Sequence, residues 1–282
     1  MKELYEISGI SKQSLYKYRL KLQKDIIEKE LVKNLMEKYR KEHKRMSCRK
    51  IYFREKEKSN ICFGRDRFEK IAFSLGYKVR QKRNVMKTTW GQRVNVYPDL
   101  VTGTTINNIN QVFQCDIFYL KIGNKNYYAV TIVDIYTRVL LSLHISTSLQ
   151  AKEIVKAIKK LLKSRDKKAI EFCIFHTDTG SQFISKEVQD LLKSLNMRQS
   201  MCDIAQKNAY VERLQGILKY EYLFENNLTD RNIHSITRKI IKLYNEERPH
   251  LSLKNKTPIE YEAYINQLND DKRPKMKVYD WN

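Results

Sequence analysis

The chain has 282 residues, 41% of them hydrophobic, which is enough to bury one good core together with one or two smaller modules. Its 55 Lys and Arg against 32 Asp and Glu give a formal charge of +23, which favours a polyanion such as nucleic acid as partner; a lysine-rich surface without a partner is the alternative. Five scattered cysteines without a CxxC pair argue against structural zinc, and the lack of an apolar run of about 18 residues argues against a membrane span, so the sequence predicts a reduced, cytoplasmic protein.

The amino-terminal 24 residues have the length of a helix-turn-helix and a glycine that would separate its two helices. Two short helices are predicted on either side of Gly9, and Ser11 is a suitable N-cap for the second. The basic side chains of that second helix, which could reach phosphates and base edges, are Lys12, Lys17 and Arg19. We therefore expect residues 1–24 to contact DNA, with a packing or protein-binding module as the alternative.

Two further segments precede the main domain. Residues 25–79 predict a basic helical region, within which a helix ends at Gly76, as a C′ glycine requires. Residues 80–110 mix Gly, Pro and polar side chains without a sustained period, which predicts an extended linker. The first 100 residues carry 27 basic and 12 acidic side chains, so the excess positive charge is concentrated in these amino-terminal modules.

Residues 111–265 show strand-like and helix-like patterns in a defined order. Three apolar, β-branched strands come first, then an amphipathic helix, a fourth strand, a second helix, a short fifth strand and a long helix over about 205–223. This is the chain order of the ribonuclease H-like (integrase) core. We therefore predict an α/β fold with a mixed five-stranded sheet, preceded by small basic helical modules and followed by a carboxyl-terminal tail over residues 266–282.

Three acidic residues lie where such a sheet could gather them. Asp116 is in the middle of the first apolar strand, where a carboxylate is costly unless a cation or hydrogen bonds compensate it. Asp178 follows the fourth strand, and Glu212 is on the long helix. Taken singly, each acid could be an ordinary ion pair or helix cap. Together they could hold two Mg²⁺ ions that activate a hydroxyl and stabilise the leaving oxygen of a phosphodiester.

Three motifs resemble one family. HTDTGSQF, NAYVERLQGILKYE and YNEERPHLSLKNKTPIEY are similar to motifs of the second-reading-frame (OrfB) transposases of insertion-sequence family three, which are relatives of retroviral integrases. The resemblance also includes SGISKQSLYKY near the start, GRDRFEKIAFSLGYKV and KTTW, and therefore spans nearly the whole chain. The 33 residues between Asp178 and Glu212 are a couple fewer than is usual for the family.

The resemblance implies a DDE transposase, a polynucleotidyl transferase that uses Asp116, Asp178 and Glu212 with two Mg²⁺ or Mn²⁺ ions. Such an enzyme cleaves insertion-sequence ends and transfers the strand, in DNA integration and recombination. Its implied partners are transposon-end and target DNA, further copies of itself on DNA, and an upstream OrfA protein or fusion, in the bacterial cytoplasm at the nucleoid. Lys219 matches a family lysine that approaches DNA. A catalytically silent DNA-binding protein that retains the transposase fold is the alternative function.

Four further residues have two explanations each. Arg248 and His250 belong to a family signature and could contact DNA or the catalytic helix, with helix termination as the structural alternative. Asp134 is favoured as a structural partner of Arg138 over a metal ligand. His176 could orient the second acid, or it could simply pack within its strand.

Overall fold

The computed structural model describes residues 9–56, 58–79, 96–202 and 205–278. The chain divides into two compact units, Met1–Gln81 and Lys82–Asn282. Among the described residues, no helix combines the length and the apolar character needed to cross a membrane.

The described part of the first unit is helical, with α1 over Lys12–Arg40, α2 over Cys48–Glu55 and α3 over Arg65–Ser74. Ser11 caps α1 as predicted, its hydroxyl accepting a hydrogen bond from the Ser14 amide at 3.1 Å. The three helices share one apolar core, whose largest members are Met36, Met46, Ile51, Tyr52 and Phe68.

The predicted helix-turn-helix differs from the structure at its carboxyl-terminal boundary. α1 runs without interruption past residue 24, because its second half buries Val32, Leu35 and Met36 against the other two helices. The first helix of the predicted pair would lie mainly before Gly9, outside the described residues. The prediction for the end of α3 is confirmed: Gly76 follows the C-cap residue with φ +84°, the left-handed conformation that glycine adopts readily.

The second unit is built on a mixed five-stranded sheet, as predicted. After a short strand β1 over Thr105–Ile106, the sheet strands are β2 (Val112–Ile122), β3 (Lys125–Asp134), β4 (Leu140–Ser146), β5 (Ile174–Thr177) and β6 (Arg198–Met201). Their spatial order is β4-β3-β2-β5-β6, with β2, β3 and β4 antiparallel and with β5 parallel to both β2 and β6. β2 is therefore the central strand of the sheet.

Helices cover both faces of this sheet, which gives the ribonuclease H-like α/β architecture. On one face lie α4 (Ala151–Leu161) and α5 (Lys186–Ser194), packed on the odd-numbered side chains of β2. On the other lie α6 (Ala209–Ile217), α7 (Ile233–Lys242) and α8 (Pro258–Asn266), packed on its even-numbered side chains. The alternation of side chains along a strand thus assigns even positions of β2 to the face that α6 covers.

The long helix predicted over 205–223 is not one regular helix. A 3₁₀ turn precedes α6, and a π-helical turn over Leu218–Tyr222 follows it. The two ends of the unit, predicted as a linker and a tail, also differ from the prediction. The short strand β1 pairs with a second short strand, β7 (Met276–Lys277). The described parts of the predicted linker and of the predicted tail therefore belong to the second unit, where Val101, Ile106 and Val278 join its core.

Candidate active site

Asp116 lies on β2 and faces α6. Its Oδ1 accepts a hydrogen bond from the backbone amide of Ile117 at 2.7 Å, and its Oδ2 accepts one from Nε2 of Gln215 at 2.9 Å. Gln215 is on α6, and its Nε2 also lies 3.3 Å from the hydroxyl oxygen of Thr131 on β3. The carboxylate in the middle of the sheet is therefore held by hydrogen bonds from its own strand and from the helix above it.

Asp178 follows β5 directly, at the same level of the sheet as Asp116. In the parallel pairing of β2 with β5, Gln114 is opposite His176, so two residues farther along each strand bring the chain to the two aspartates. Oδ1 of Asp178 accepts a hydrogen bond from the amide of Gly180 at 3.1 Å. A Cβ on Gly180 would lie 3.1 Å from that same oxygen and 3.3 Å from the ring of Phe183, so glycine leaves room for the folded-back carboxylate.

Glu212 lies in the first turns of α6, which packs on β2 and β3. Val211 and Leu214 are buried in the core beneath the helix, whereas Glu212 is on its exposed side. The structure thus brings the three acids predicted from sequence to one region, with two from adjacent strands of the sheet and one from the helix that covers it.

The charges of the three carboxylates affect one another's pKa values. Burial raises the pKa of Asp116 to about 7, with the charge of Asp178 as the next cause and that of Glu212 as a smaller one, while the hydrogen bonds from Ile117 and Gln215 oppose the shift. Burial and the charge of Asp178 also raise the pKa of Glu212. Like charges held together in this way favour either protonation or a bound cation.

The raised pKa predicts how stability depends on pH in the absence of metal. The unfolded pKa of an aspartate is about 3.9, so between about pH 4 and pH 7 the folded protein keeps a proton on Asp116 that the unfolded chain has lost. The resulting stabilisation is complete below pH 4 and is lost as the pH rises to about 7. At about 1.4 kcal/mol per pKa unit its upper limit is about 4 kcal/mol.

Thermal unfolding in EDTA between pH 4.5 and 8 measures this effect. Asp116→Asn removes the titrating group, so we expect the variant to be more stable than the parent protein above pH 7 and similar to it at the acid end. Parallel stability curves for the two proteins over the whole range would contradict the raised pKa.

The donor set suits a hard divalent cation, because all three acids offer carboxylate oxygens. Across the described ranges, however, no three His, Cys, Asp or Glu side chains are grouped closely enough to enclose a metal ion. Both oxygens of Asp116 are engaged by protein hydrogen-bond donors in this conformation. Metal binding would therefore require these side chains to turn toward one another, with Asp116 exchanging at least one protein partner for the ion.

Lys219 lies beside this site, as its spacing from Glu212 predicts. It is in the π-helical turn after α6, and its Nζ is 4.9 Å from the centroid of the Phe118 ring on β2. Burial lowers the pKa of Lys219, and the charge of Asp116 opposes that shift. A half-buried ammonium group therefore stands on the same face of β2 as Asp116.

The structure does not place Arg248 and His250 for contact with DNA. The guanidinium of Arg248 is buried and forms two hydrogen bonds to Glu221 in the π-helical turn, at 2.8 and 2.7 Å. His250 is also buried, with its Nε2 3.2 Å from Arg248. In this conformation Arg248 contacts the extension of the helix that carries Glu212, one of the roles considered for the pair, and contact of the two residues with DNA stays a prediction.

The remaining sequence candidates have defined surroundings. Lys12, Lys17 and Arg19 are exposed on α1. Asp134 is fully buried and accepts hydrogen bonds from the amides of Asn110, Tyr136 and Thr137 at 2.8 to 3.2 Å, which is a structural role.

His176 is also fully buried, and its Nδ1 lies 2.9 Å from the hydroxyl oxygen of Ser200 on β6. Burial lowers its pKa to about 4, so it is a neutral, packed histidine at ordinary pH. Sequence reasoning missed two glutamines at the site, Gln114 and Gln215. Their spacing could have identified them. Gln114 lies two residues before Asp116 on the strand, and Gln215 lies three residues after Glu212 on the helix.

Comparison with protein families matches the second unit to the integrase core domain. One integrase core model covers residues 107–207, and a second covers residues 202–258.

Two solved structures illustrate the similarity. The catalytic core domain of HTLV-2 integrase, solved in complex with magnesium, is matched over 55% of this chain and 97% of that domain, with a TM-score of 0.46 and 20% identity. The simian T-cell lymphotropic virus intasome, in complex with the PP2A regulatory subunit B56γ, is matched over 72% of this chain and 68% of that chain, with a TM-score of 0.48 and 19% identity.

The curated relatives come from bacterial insertion elements. The chain is 27% identical over 220 residues to the insertion element IS600 uncharacterized 31 kDa protein of Shigella sonnei, covering 76% of this chain and 80% of that protein. It is 27% identical to the putative transposase InsK of IS150 from Escherichia coli K12, over 54% of each protein. It is 30% identical to the transposase InsF of IS3A from the same organism, over 45% of this chain and 44% of that protein.

The family models match the unit that contains the five-stranded sheet. The chain spans most of one relative and about half of the two transposases. The two integrase core models together reach from residue 107 to residue 258, slightly more than half of the chain. The chain therefore belongs to the integrase core family, among the transposases of insertion-sequence family three.

Proposed function

We propose that this transposase cuts and joins DNA at a divalent-metal site formed by Asp116, Asp178 and Glu212. The observation that carries the proposal is the arrangement of the three acids: Asp116 lies on the central strand, Asp178 follows the adjacent strand at the same level, and Glu212 lies on the helix that packs on the sheet. A binding protein has no use for three carboxylates that repel one another. A polynucleotidyl transferase does, because its metal ions relieve that repulsion.

The three carboxylates would hold two Mg²⁺ or Mn²⁺ ions, which supply Lewis acidity toward the phosphodiester and toward the attacking oxygen when they are bound. The chain itself contributes position. The sheet fixes Asp116 and Asp178 side by side, α6 carries Glu212 above them, and Gln215 orients the Asp116 carboxylate. Attack of water on the phosphodiester at an insertion-sequence end would break its P–O3′ bond and leave a 3′-hydroxyl. That hydroxyl would attack a second phosphodiester and displace the 3′-oxygen of the target strand, which leaves as a hydroxyl, so no covalent bond to the protein forms.

The proposed partners are insertion-sequence ends and target DNA, bound by further copies of this chain and by an upstream OrfA protein or fusion. The +23 formal charge supports a polyanionic partner. The exposed Lys12, Lys17 and Arg19 of α1 are proposed to contact phosphates or base edges. Such an enzyme would act on the chromosome in the bacterial cytoplasm.

Lys219 is proposed to contact a DNA phosphate next to the cleaved bond. Replacing Lys219 with alanine is expected to weaken DNA binding most at low salt and to reduce the slope of log K against log salt by about one, as the loss of one phosphate contact does. A binding titration from low to high salt measures this slope. An unchanged slope, with binding weakened equally at every salt concentration, would show that Lys219 does not contact a phosphate.

The proposed activity is tested with duplexes that carry the inverted repeats flanking the gene. We expect the purified protein to nick these ends in Mg²⁺ or Mn²⁺, to leave a 3′-hydroxyl, and to join that end to a second duplex. EDTA should abolish both steps, and duplexes of unrelated sequence should remain uncut. Tight and specific binding of the ends without cleavage in either metal would instead favour the silent DNA-binding protein.

A further inference from the structure

The amino-terminal end of α6 is held by a residue from another element. The first amide groups of a helix have no acceptor within the helix and need one elsewhere. Asn208, at the N-cap position, turns its side chain away from these amides and donates from Nδ2 to the carbonyl of Cys115 on β2, at 3.2 Å. The capping role is therefore open to a neighbouring side chain.

Gln114 of β2 fills that role. Its Oε1 accepts hydrogen bonds from the amides of Tyr210 and Val211, both at 3.1 Å, and its Nε2 donates to the carbonyl of Lys207 at 3.2 Å. The side chain is completely buried. A single amide group thus joins the central strand to three backbone sites around the start of the helix, on Lys207, Tyr210 and Val211.

These contacts link the backbones that carry two of the acids. Gln114 and Asp116 are two residues apart and project from the same face of β2. Glu212 directly follows Val211, whose amide Gln114 binds. One buried side chain therefore links directly the strand that carries Asp116 and the helix that carries Glu212.

We propose that Gln114 is a positioning residue, which fixes the height of Glu212 above Asp116 by capping α6 from the central strand. The inference rests on the proposed function of the acids, but the cap itself can be measured without it. Its action differs from that of Gln215, which binds the Asp116 carboxylate directly. The hydrogen bonds of the Gln114 side chain go to backbone groups, so its loss would shift the helix end and leave all three acids in the chain.

The test compares two buried amide side chains in the same unit. Gln114→Met keeps the shape and removes the hydrogen bonds. Asn245→Leu is the matched control, because buried Asn245 binds the backbone of Leu140 through both ends of its amide, each at 2.9 Å, on an outer strand of the sheet. Each protein is measured by hydrogen exchange without metal, by single-turnover cleavage at saturating Mg²⁺, by the Mn²⁺ concentration at half-maximal rate, and by thermal unfolding.

For Gln114→Met we expect amide exchange at Tyr210 and Val211 to be about 10-fold faster or more, the cleavage rate to fall about 10- to 100-fold, and the Mn²⁺ midpoint to rise. Asn245→Leu should lower the unfolding temperature similarly, with exchange at these two amides unchanged and cleavage within about threefold of the parent. Equal losses of cleavage in both variants, or unchanged exchange in Gln114→Met, would overturn the proposal.

Gln114→Glu keeps the test decisive if the methionine variant does not fold. Its carboxylate still accepts from the two amides, and a negative charge at a helix amino terminus is favourable. We expect this variant to keep most of the exchange protection at Tyr210 and Val211 and more cleavage activity than Gln114→Met. Loss of that protection would contradict the cap. If the parent protein does not cleave DNA at all, the proposed function fails while the exchange result still decides the role of Gln114.

Discussion

Asp116→Asn is expected to reduce DNA cleavage by about 10²- to 10³-fold, a loss of the size seen when one electrostatic stabiliser of a transition state is removed. Asp116 is on the central strand, and its carboxylate interacts with those of Asp178 and Glu212. Asparagine keeps the size of the side chain but cannot supply the anionic oxygen that a metal ion needs. Asp178→Asn and Glu212→Gln are expected to have the same effect, and end-joining should fail together with cleavage.

DNA binding separates this effect from misfolding. Each variant should bind insertion-sequence ends with nearly the parent affinity, because the basic groups that contact phosphates are untouched. Asp230→Asn is a suitable control, since Asp230 pairs with Lys125 at the surface of the same unit and should leave cleavage unchanged. Undiminished cleavage by any of the three variants in the presence of metal would contradict the assignment of that acid.

Arg248→Met is expected to destabilise the second unit by about 3–5 kcal/mol, the usual cost of removing one partner from a buried ion pair. The Arg248 side chain is only 3% exposed, and its guanidinium binds both carboxylate oxygens of Glu221. The pair joins the segment after α7 to the π-helical turn that follows α6. Its loss should lower the unfolding temperature by about 10 °C for a unit of this size.

A surface pair provides the comparison. Lys125→Met breaks an exposed contact with Asp230 and should change the unfolding temperature little. Below its unfolding temperature, Arg248→Met should bind DNA as the parent protein does, with an unaltered salt slope. An unchanged unfolding temperature together with weakened DNA binding would show that Arg248 contacts DNA after all, through a conformation in which it leaves Glu221.

The positions of the acids could be predicted because each lies in a distinctive local pattern. Asp116 interrupts an apolar strand, Asp178 ends another, and Glu212 lies among the apolar positions of a helix. The order of strands and helices then allowed only a few arrangements, and the ribonuclease H-like one brings the three together. Local patterns were therefore enough to predict the fold class and to select the candidate catalytic residues.

Interactions between distant segments could not be predicted in the same way. Nothing near Arg248 in the sequence indicates that Glu221 will bury it, and nothing near Gln114 indicates that it will cap a helix almost 100 positions later. The pairing of β1 with β7 likewise could not be predicted, because each strand has only two residues and shows no alternating pattern. These features depend on which surfaces meet after folding, whereas periodicity reports only which face of an element is apolar.

Gly180 shows a further limit of sequence reasoning. Glycine readily adopts a positive φ, yet the φ of Gly180 is −63°, which any residue could adopt. The requirement is for space beside the Asp178 carboxylate and Phe183. The sequence shows that residue 180 is glycine, but only its contacts explain why a larger residue would not fit.

The location of bound Mn²⁺ would show directly whether the three acids form a metal site. Anomalous diffraction from crystals of the protein with an insertion-sequence end and Mn²⁺ would show the ions without any assumption about activity. We predict Mn²⁺ peaks between the carboxylates of Asp116, Asp178 and Glu212, and their loss in crystals of Asp116→Asn. Mn²⁺ bound away from these carboxylates, or bound there equally well in Asp116→Asn, would contradict a metal site formed by the three acids.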